Sequence, residues 1–167
     1  MPGEHNTGIL GTANSTQGVA TLQVKGQARL PAPRSKVWAT LLGADALGQC
    51  LPGCQSFTQV GPSEWDVTLS IGLAGIKGTY KGHVQISDAQ PESSYRLTVE
   101  GNGSGNRVRG SALIILSDAD DGGTVVDYDG DAQIAGTLAA VGQRLFEPAA
   151  RMLADQFFRC MGSKVSG

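Results

Sequence analysis

Glycine on the apolar side of alternating segments is the feature that most constrains how this chain folds. Apolar and polar residues alternate in about seven segments between residues 22 and 134, and this period of two is typical of antiparallel strands with one buried face. A glycine on the buried face weakens a strand unless the sheet bends there or something approaches the backbone. The sequence therefore predicts a curved antiparallel sheet with room above its inner face. The small inward residues are Gly78, Gly82, Gly101, Gly110, Gly130, Ala112 and Ala132.

A long C-terminal helix is the predicted partner for that inner face. Apolar residues recur every three or four positions over residues 138–160, which is the spacing of an amphipathic helix. Two short helices are predicted after the first strand, over residues 34–42 and 45–50. Pro148 removes a backbone hydrogen bond within the long helix, so we expect a bend near Arg144. The result is an α+β architecture in which a sheet wraps around one helix.

Length and charge indicate one domain and exclude several kinds of partner. Residues 1–18 are expected to form a flexible arm, residues 19–162 the domain, and residues 163–167 a frayed tail. The 13 Lys and Arg are scattered among 15 Asp and Glu, so no surface for nucleic acid is predicted. We find neither a signal sequence nor an apolar run of membrane-spanning length. Three cysteines without a signal favour a reducing cytoplasm.

Candidate catalytic and metal-binding residues are sparse. Cys50 and Cys54 flank a Pro-Gly turn and are expected to be half-buried thiols, because zinc needs about four ligands and no second pair is suitably spaced. His83 lies on a polar strand face without a nucleophile beside it, which is typical of a surface residue. Acidic residues on a solvated strand solubilise the protein rather than catalyse a reaction. We therefore assign no metal site and no catalytic residue.

An apolar pocket between the sheet and the long helix is the predicted binding site. Large rings beside inward glycine and alanine leave an uneven face that one helix does not fill, and dry cavities of this kind accept apolar guests. The hydroxyls of Tyr80 and Tyr128 would be its polar handles. A filled, ordinary core is the open alternative. The expected lining is Trp65, Leu69, Gly78, Tyr80, Leu97, Gly110, Tyr128, Val141, Leu145 and Met152.

Five short stretches, in order along the chain, resemble one protein family. They are KVW at residues 36–38, CLPGC at 50–54, IKGTYKG at 76–82, YDGDAQ at 128–133 and AARMLADQFF at 149–158. Together they resemble the carbon monoxide dehydrogenase CoxG family over about residues 22–161. The resemblance implies a START-like, helix-grip fold, with a curved antiparallel sheet of about seven strands around the C-terminal helix.

The same resemblance implies an accessory protein rather than an enzyme. The implied partner is a molybdenum hydroxylase of the carbon monoxide dehydrogenase type, which the protein would help to place at the inner face of the cell membrane. The implied ligand is a lipid or a quinone-like molecule, bound without a covalent link. One alternative is a cyclase or hydratase of the same fold, acting on an aromatic or polyketide-like substrate with Tyr80, Tyr128 or His83 as acid or base. A structural adaptor with a filled core is the other.

Overall fold

An antiparallel sheet and one long helix form most of this protein. The computed structural model describes residues 19–72, 77–140 and 142–166, with the backbone alone at 138, 142 and 145. Two short helices follow the first strand, and a 3₁₀ turn, Thr137–Ala140, precedes the long helix. This order confirms the predicted architecture. The strands are β1 (Val19–Leu30), β2 (Cys54–Gly61), β3 (Glu64–Ile71), β4 (Gly78–Gln90), β5 (Ser94–Gly103), β6 (Asn106–Asp118) and β7 (Thr124–Ala135), and the helices are α1 (Arg34–Leu41), α2 (Ala44–Cys50) and α3 (Gly142–Ser166).

The sheet follows the chain order except at its first strand. Its seven strands lie in the order β1-β7-β6-β5-β4-β3-β2, and each pair of neighbours is antiparallel. The first and last strands pair along their whole length, from Val19 opposite Ala135 to Leu30 opposite Thr124. Because side chains alternate between the two faces of each strand, one face of this sheet is available to the long helix.

Helix α3 is held to the sheet by two groups of buried side chains. Near its C-terminal end, Met161 and Val165 pack in a core that includes Leu30 of β1 and residues of α1. Near its N-terminal end, Ala149 packs with Leu22 and other residues of the sheet. The helix is therefore fixed at two places along its length, and the sheet between those places remains to be covered.

The C-terminal end of helix α3 lies further along the chain than the sequence predicted. The predicted helix ended at Cys160, but the helix continues to Ser166, so the predicted frayed tail is wrong for residues 163–166. The reason is burial, because the Val165 side chain is only 2% exposed. Pro148 lies in the second turn, and the helix continues through it. Residue 167 and the predicted arm, residues 1–18, lie outside the described residues.

Several inward glycines lie where neighbouring strands come too close for a side chain. A Cβ atom at Gly82 would lie 2.8 Å from a carbonyl oxygen of β5, and one at Gly130 would lie 2.8 Å from the Ala112 Cβ. A Cβ at Gly110 would lie 3.2 Å from the Ala132 Cβ. Real side chains essentially never make the two shorter contacts. Of the two predicted explanations, close approach of strands in a bent sheet accounts for these three positions.

The outer face of the sheet carries a hydrogen-bonded histidine. His83 Nδ1 lies 2.9 Å from Asp66 Oδ1, and His83 Nε2 lies 2.9 Å from Glu64 Oε1. Both ring nitrogens can donate at once only in the imidazolium form. The hydrogen bond to Asp66, and then the one to Glu64, raises the pKa of His83 above its ordinary value. The structure thus places His83 on the surface, where the sequence predicted it.

A disulfide joins α2 to α3. Cys50 and Cys160 are bonded, with Cα atoms 5.4 Å apart and a sequence separation of 110. Cys54 is a free thiol, and burial raises its pKa. The prediction of a thiol at Cys50 is therefore wrong, because its partner comes from a distant helix that local spacing does not reveal. Since disulfides persist mainly in oxidising compartments, the cysteine count gives no support to a reducing one.

We expect removal of the disulfide to destabilise the protein. The double variant Cys50→Ser with Cys160→Ser should lose about 2–4 kcal/mol of unfolding free energy, because a crosslink across a long loop restricts the unfolded chain. Denaturant unfolding of the oxidised proteins measures the loss, and Cys54→Ser is the matched control with a much smaller effect. Thiol titration in denaturant should find one thiol per chain, Cys54, before reduction and three after it. Three thiols before reduction would contradict the crosslink.

We expect the His83 cluster to make stability depend on pH. Because the folded pKa of His83 is raised above the ordinary value of 6.5, its stabilising contribution is complete below the unfolded pKa and is lost as pH rises through the folded pKa. The difference in unfolding free energy between the wild type and His83→Gln should therefore shrink as pH increases through this window. An NMR titration of His83 should give a lower pKa in Asp66→Asn than in the wild type. An equal pKa in the two proteins would refute the assignment.

Candidate functional site

An apolar cavity lies between the inner face of the sheet and helix α3, and it has two lobes. The Tyr80 lobe has a volume of about 270 Å³, and strands β3 to β6 and the N-terminal half of α3 form its walls. Every inward side chain on these walls is apolar except that of Tyr80. These residues are Leu51, Val67, Leu69, Ile71, Tyr80, Val84, Val99, Val108, Phe146, Ala150 and Leu153.

The second lobe, the Tyr128 lobe, has a volume of about 380 Å³ and lies beneath α1, α2 and the middle of α3. It shares Leu51, Leu69, Ile71, Val84, Val99 and Leu153 with the Tyr80 lobe, so the two lobes form one elongated space. The side chains that line the Tyr128 lobe alone are again mostly apolar. They include Leu41, Leu47, Phe57, Ile86, Tyr95, Leu97, Ala112, Ile114, Tyr128, Ala154, Phe157 and Phe158.

Four of the predicted lining residues lie on these walls. Leu69 and Tyr80 line the Tyr80 lobe, and Leu97 and Tyr128 line the Tyr128 lobe. They were found because strand alternation assigns each of them to the inner face without knowledge of the rest of the fold. Val141, also predicted, lies outside the described residues, and the Leu145 side chain is likewise not described.

Four other predicted lining residues lie elsewhere. Trp65 is buried in the core, stacked on Phe57 with ring centroids 5.9 Å apart, and lines neither lobe. Gly78 and Gly110 also lie outside both lobes, and Gly110 is covered by its neighbouring strand. Met152 is 48% exposed to solvent. These placements correct the predicted site.

The helix contributes a different face to the cavity than the sequence predicted. The prediction used an aliphatic stripe that ended in Met152, whereas the side chains that line the cavity are Phe146, Ala150, Leu153 and Phe157. Both stripes have helical spacing, so periodicity alone does not choose between them. The aromatic residues on the second stripe were the signal that could have identified the buried face.

Three tyrosines face the cavity in different surroundings. The Tyr128 ring stacks on Phe158 at 5.6 Å, and a Cβ at Gly26 would collide with the Tyr128 hydroxyl, so that glycine makes space for the phenol. Burial raises the pKa of Tyr128, and it holds the pKa of Tyr95 well above its ordinary value. The Tyr80 hydroxyl is buried and has no hydrogen-bond partner among the described residues.

Charged groups near the cavity are directed away from it. Lys81, His83 and Glu100 border the Tyr80 lobe beside the inward glycines of β4 and β5, but their side chains alternate onto the outer face of the sheet. His83, for example, is hydrogen-bonded there to two carboxylates. Within the described residues no charged side chain therefore enters either lobe. The interior can bind apolar surface and has phenol hydroxyls as its polar side-chain groups.

Metal-binding clusters and membrane-spanning helices are both absent from the described part of the chain. In residues 19–72, 77–140 and 142–166, no three His, Cys, Asp or Glu side chains are grouped so that they could hold a metal ion. None of the helices in these ranges is long and apolar enough to cross a membrane.

Solved structures with this fold come from several bacteria. A conserved protein from Geobacillus kaustophilus matches with a TM-score of 0.81 and 30% identity, over 85% of this chain and 93% of that chain. A START superfamily protein from Mycobacterium smegmatis matches with a TM-score of 0.66 and 11% identity, over 86% and 97%. The ZhuI aromatase/cyclase from Streptomyces sp. R1128 matches with a TM-score of 0.63 and 15% identity, over 87% and 94%. These similarities confirm the START-like fold.

The sequence itself identifies the family. No curated protein matches this chain. The family model for CoxG, which is named for a subunit of carbon monoxide dehydrogenase, matches residues 26–166. The match extends from the middle of β1 to the last residue of α3, and it confirms the resemblance drawn from the five short stretches. This chain therefore belongs to the carbon monoxide dehydrogenase CoxG family.

Proposed function

We propose that this protein is a non-catalytic accessory protein that binds an apolar small molecule, a lipid or a quinone-like compound, in the cavity between sheet and helix. The observation that carries the proposal is one continuous apolar space of two lobes inside a member of the CoxG family. Bound ligand would be held without a covalent link. Each Å² of apolar surface that it buries contributes about 25 cal/mol, so an elongated molecule that occupies both lobes gains most.

The proposed partner is a molybdenum hydroxylase of the carbon monoxide dehydrogenase type. Support comes from the family description, which names a subunit of carbon monoxide dehydrogenase. In this proposal the protein works in the cytoplasm beside that enzyme, at the inner face of the cell membrane, and passes an apolar molecule between the membrane and the enzyme. The location rests on the family and not on the cysteines, since two of the three are joined in a disulfide.

A second candidate function is catalysis in the same cavity. The ZhuI aromatase/cyclase has this fold, and three tyrosine hydroxyls face the cavity of the present protein. General acid–base catalysis works best with a group whose pKa lies near the working pH. Burial moves the pKa values of Tyr95 and Tyr128 further from that range, and no described carboxylate or imidazole enters the cavity. These observations favour binding over a cyclase or hydratase reaction.

Bulky residues placed on the cavity side of α3 should block ligand uptake. Ala150 lines the Tyr80 lobe and Ala154 lines the Tyr128 lobe, so the double variant Ala150→Phe with Ala154→Phe fills both from the helix. We expect the fluorescent probe N-phenyl-1-naphthylamine to bind this variant at least about tenfold more weakly than the wild type, because about 1.4 kcal/mol of lost contact is enough for that change.

Gln156→Phe is the matched control for this experiment. Gln156 is exposed on the same helix, so the control adds the same ring outside the cavity. Thermal unfolding should show that both proteins are folded. If the folded double variant binds the probe as tightly as the wild type, the cavity is not the binding site.

Association with the hydroxylase can be tested in the native host. We expect the tagged protein to co-purify with a molybdenum hydroxylase, and we expect deletion of its gene to reduce the share of that hydroxylase in the membrane fraction several-fold. Activity assays on membrane and soluble fractions measure the change. Unchanged distribution and unchanged activity after deletion would contradict the accessory role.

A further inference from the structure

The Tyr80 hydroxyl is a buried polar group without a partner. Tyr80 is 9% exposed, and its hydroxyl oxygen has no hydrogen-bond partner among the described residues. A buried hydroxyl that makes no hydrogen bond loses its hydration without compensation, and most buried polar atoms in proteins are paired. An unpaired one at the wall of a cavity therefore requires an explanation.

The surroundings of Tyr80 make this hydroxyl unusual within its lobe. The other inward side chains of the Tyr80 lobe are aliphatic, or aromatic without a polar atom, such as Leu69, Val108 and Phe146. The backbone groups of the floor are largely engaged in the ladders that join β4 to β3 and to β5. Among the described residues, Tyr80 therefore supplies the only polar side-chain atom that faces into this lobe.

The Tyr80 ring is also held in position. It packs in a core group with Leu22, Ile134 and Ala149, and it lies beside Gly78, where a Cβ would be 3.7 Å from Tyr80 Cε1. A ring confined in this way presents its hydroxyl at a defined place. A donor whose position is fixed before binding loses little conformational freedom when a ligand arrives.

We propose that the Tyr80 hydroxyl is the polar anchor of the cavity and donates a hydrogen bond to a carbonyl oxygen of the ligand. A carbonyl brings an acceptor and no donor, so one hydrogen bond from Tyr80 satisfies both groups in a lobe with no other polar side chain among the described residues. The rest of the molecule would extend into the Tyr128 lobe. This inference rests on the proposed function, and it narrows the ligand to an elongated apolar molecule with a carbonyl at the end bound in the Tyr80 lobe.

Two probes of nearly equal shape separate the anchor from general apolar binding. The probes are 2-acetylnaphthalene, which has a carbonyl, and 2-ethylnaphthalene, which does not. Calorimetry or fluorescence gives the affinity of each for the wild type and for Tyr80→Phe, which removes the hydroxyl alone. We expect Tyr80→Phe to bind the ketone about three- to tenfold more weakly, the range for one hydrogen bond, and the hydrocarbon at least as tightly as before.

The control variant is Trp65→Phe. Trp65 Nε1 is the other buried side-chain atom without a partner among the described residues, but Trp65 lines neither lobe. This variant should therefore leave the ratio of the two affinities unchanged. A loss of preference in Trp65→Phe as large as in Tyr80→Phe would contradict a specific anchor at Tyr80.

The infrared carbonyl stretch of bound 2-acetylnaphthalene gives a second measurement that needs no variant. A hydrogen bond from Tyr80 should shift the band to lower frequency than in a hydrocarbon solvent, and Tyr80→Phe should remove the shift. An unshifted band in the wild type, or equal weakening of both probes in Tyr80→Phe, would overturn the anchor while apolar binding stands. If the wild type binds neither probe and also fails to bind N-phenyl-1-naphthylamine, the proposed function itself fails.

Discussion

The way in which one helix is held against the sheet determines most of what this protein can do. Helix α3 is fixed near its C-terminal end by Met161 and Val165, which are almost completely buried, and by the disulfide from Cys160 to Cys50. Near its N-terminal end, Ala149 packs against β1 and β7. A single helix fastened at two places cannot cover a broad sheet evenly, because packing against curved strands keeps it at a distance from part of the inner face. The cavity occupies the part that is left.

The glycines of the sheet have a different role from the one that composition alone indicates. Gly82, Gly110 and Gly130 are positions where an added Cβ would meet the neighbouring strand. They permit strands to approach and the sheet to bend, and the bend in turn lets the two ends of α3 reach the core. The volume of the cavity therefore comes from the shape of the bent sheet and not simply from missing side chains. A larger residue at Gly110 would overpack the sheet rather than fill a binding site.

Membership of the CoxG family and the apolar interior support the same kind of activity. The family description ties the chain to carbon monoxide dehydrogenase, and the fold is one in which a cyclase, ZhuI, is also found. A fold by itself does not decide between binding and catalysis, because function depends on the groups in the site. Here those groups are apolar walls and a few phenol hydroxyls. His83, the one imidazole in the described residues, is hydrogen-bonded on the opposite face of the sheet.

The sequence by itself determined the strands, their inner faces and the helix order, because each follows from the spacing of apolar residues along a short stretch. Leu69, Tyr80, Leu97 and Tyr128 were placed at the site in this way. The tertiary structure alone decided the rest. Met152 is exposed because α3 turns its aromatic stripe to the cavity, and two apolar stripes with the same period look alike in a sequence. Cys50 bonds to Cys160 because α2 packs beside α3, a contact between residues separated by 110 positions that no local spacing encodes. The isolation of the Tyr80 hydroxyl likewise depends on every wall of the cavity at once, since a donor is unpartnered only relative to all the side chains folded around it.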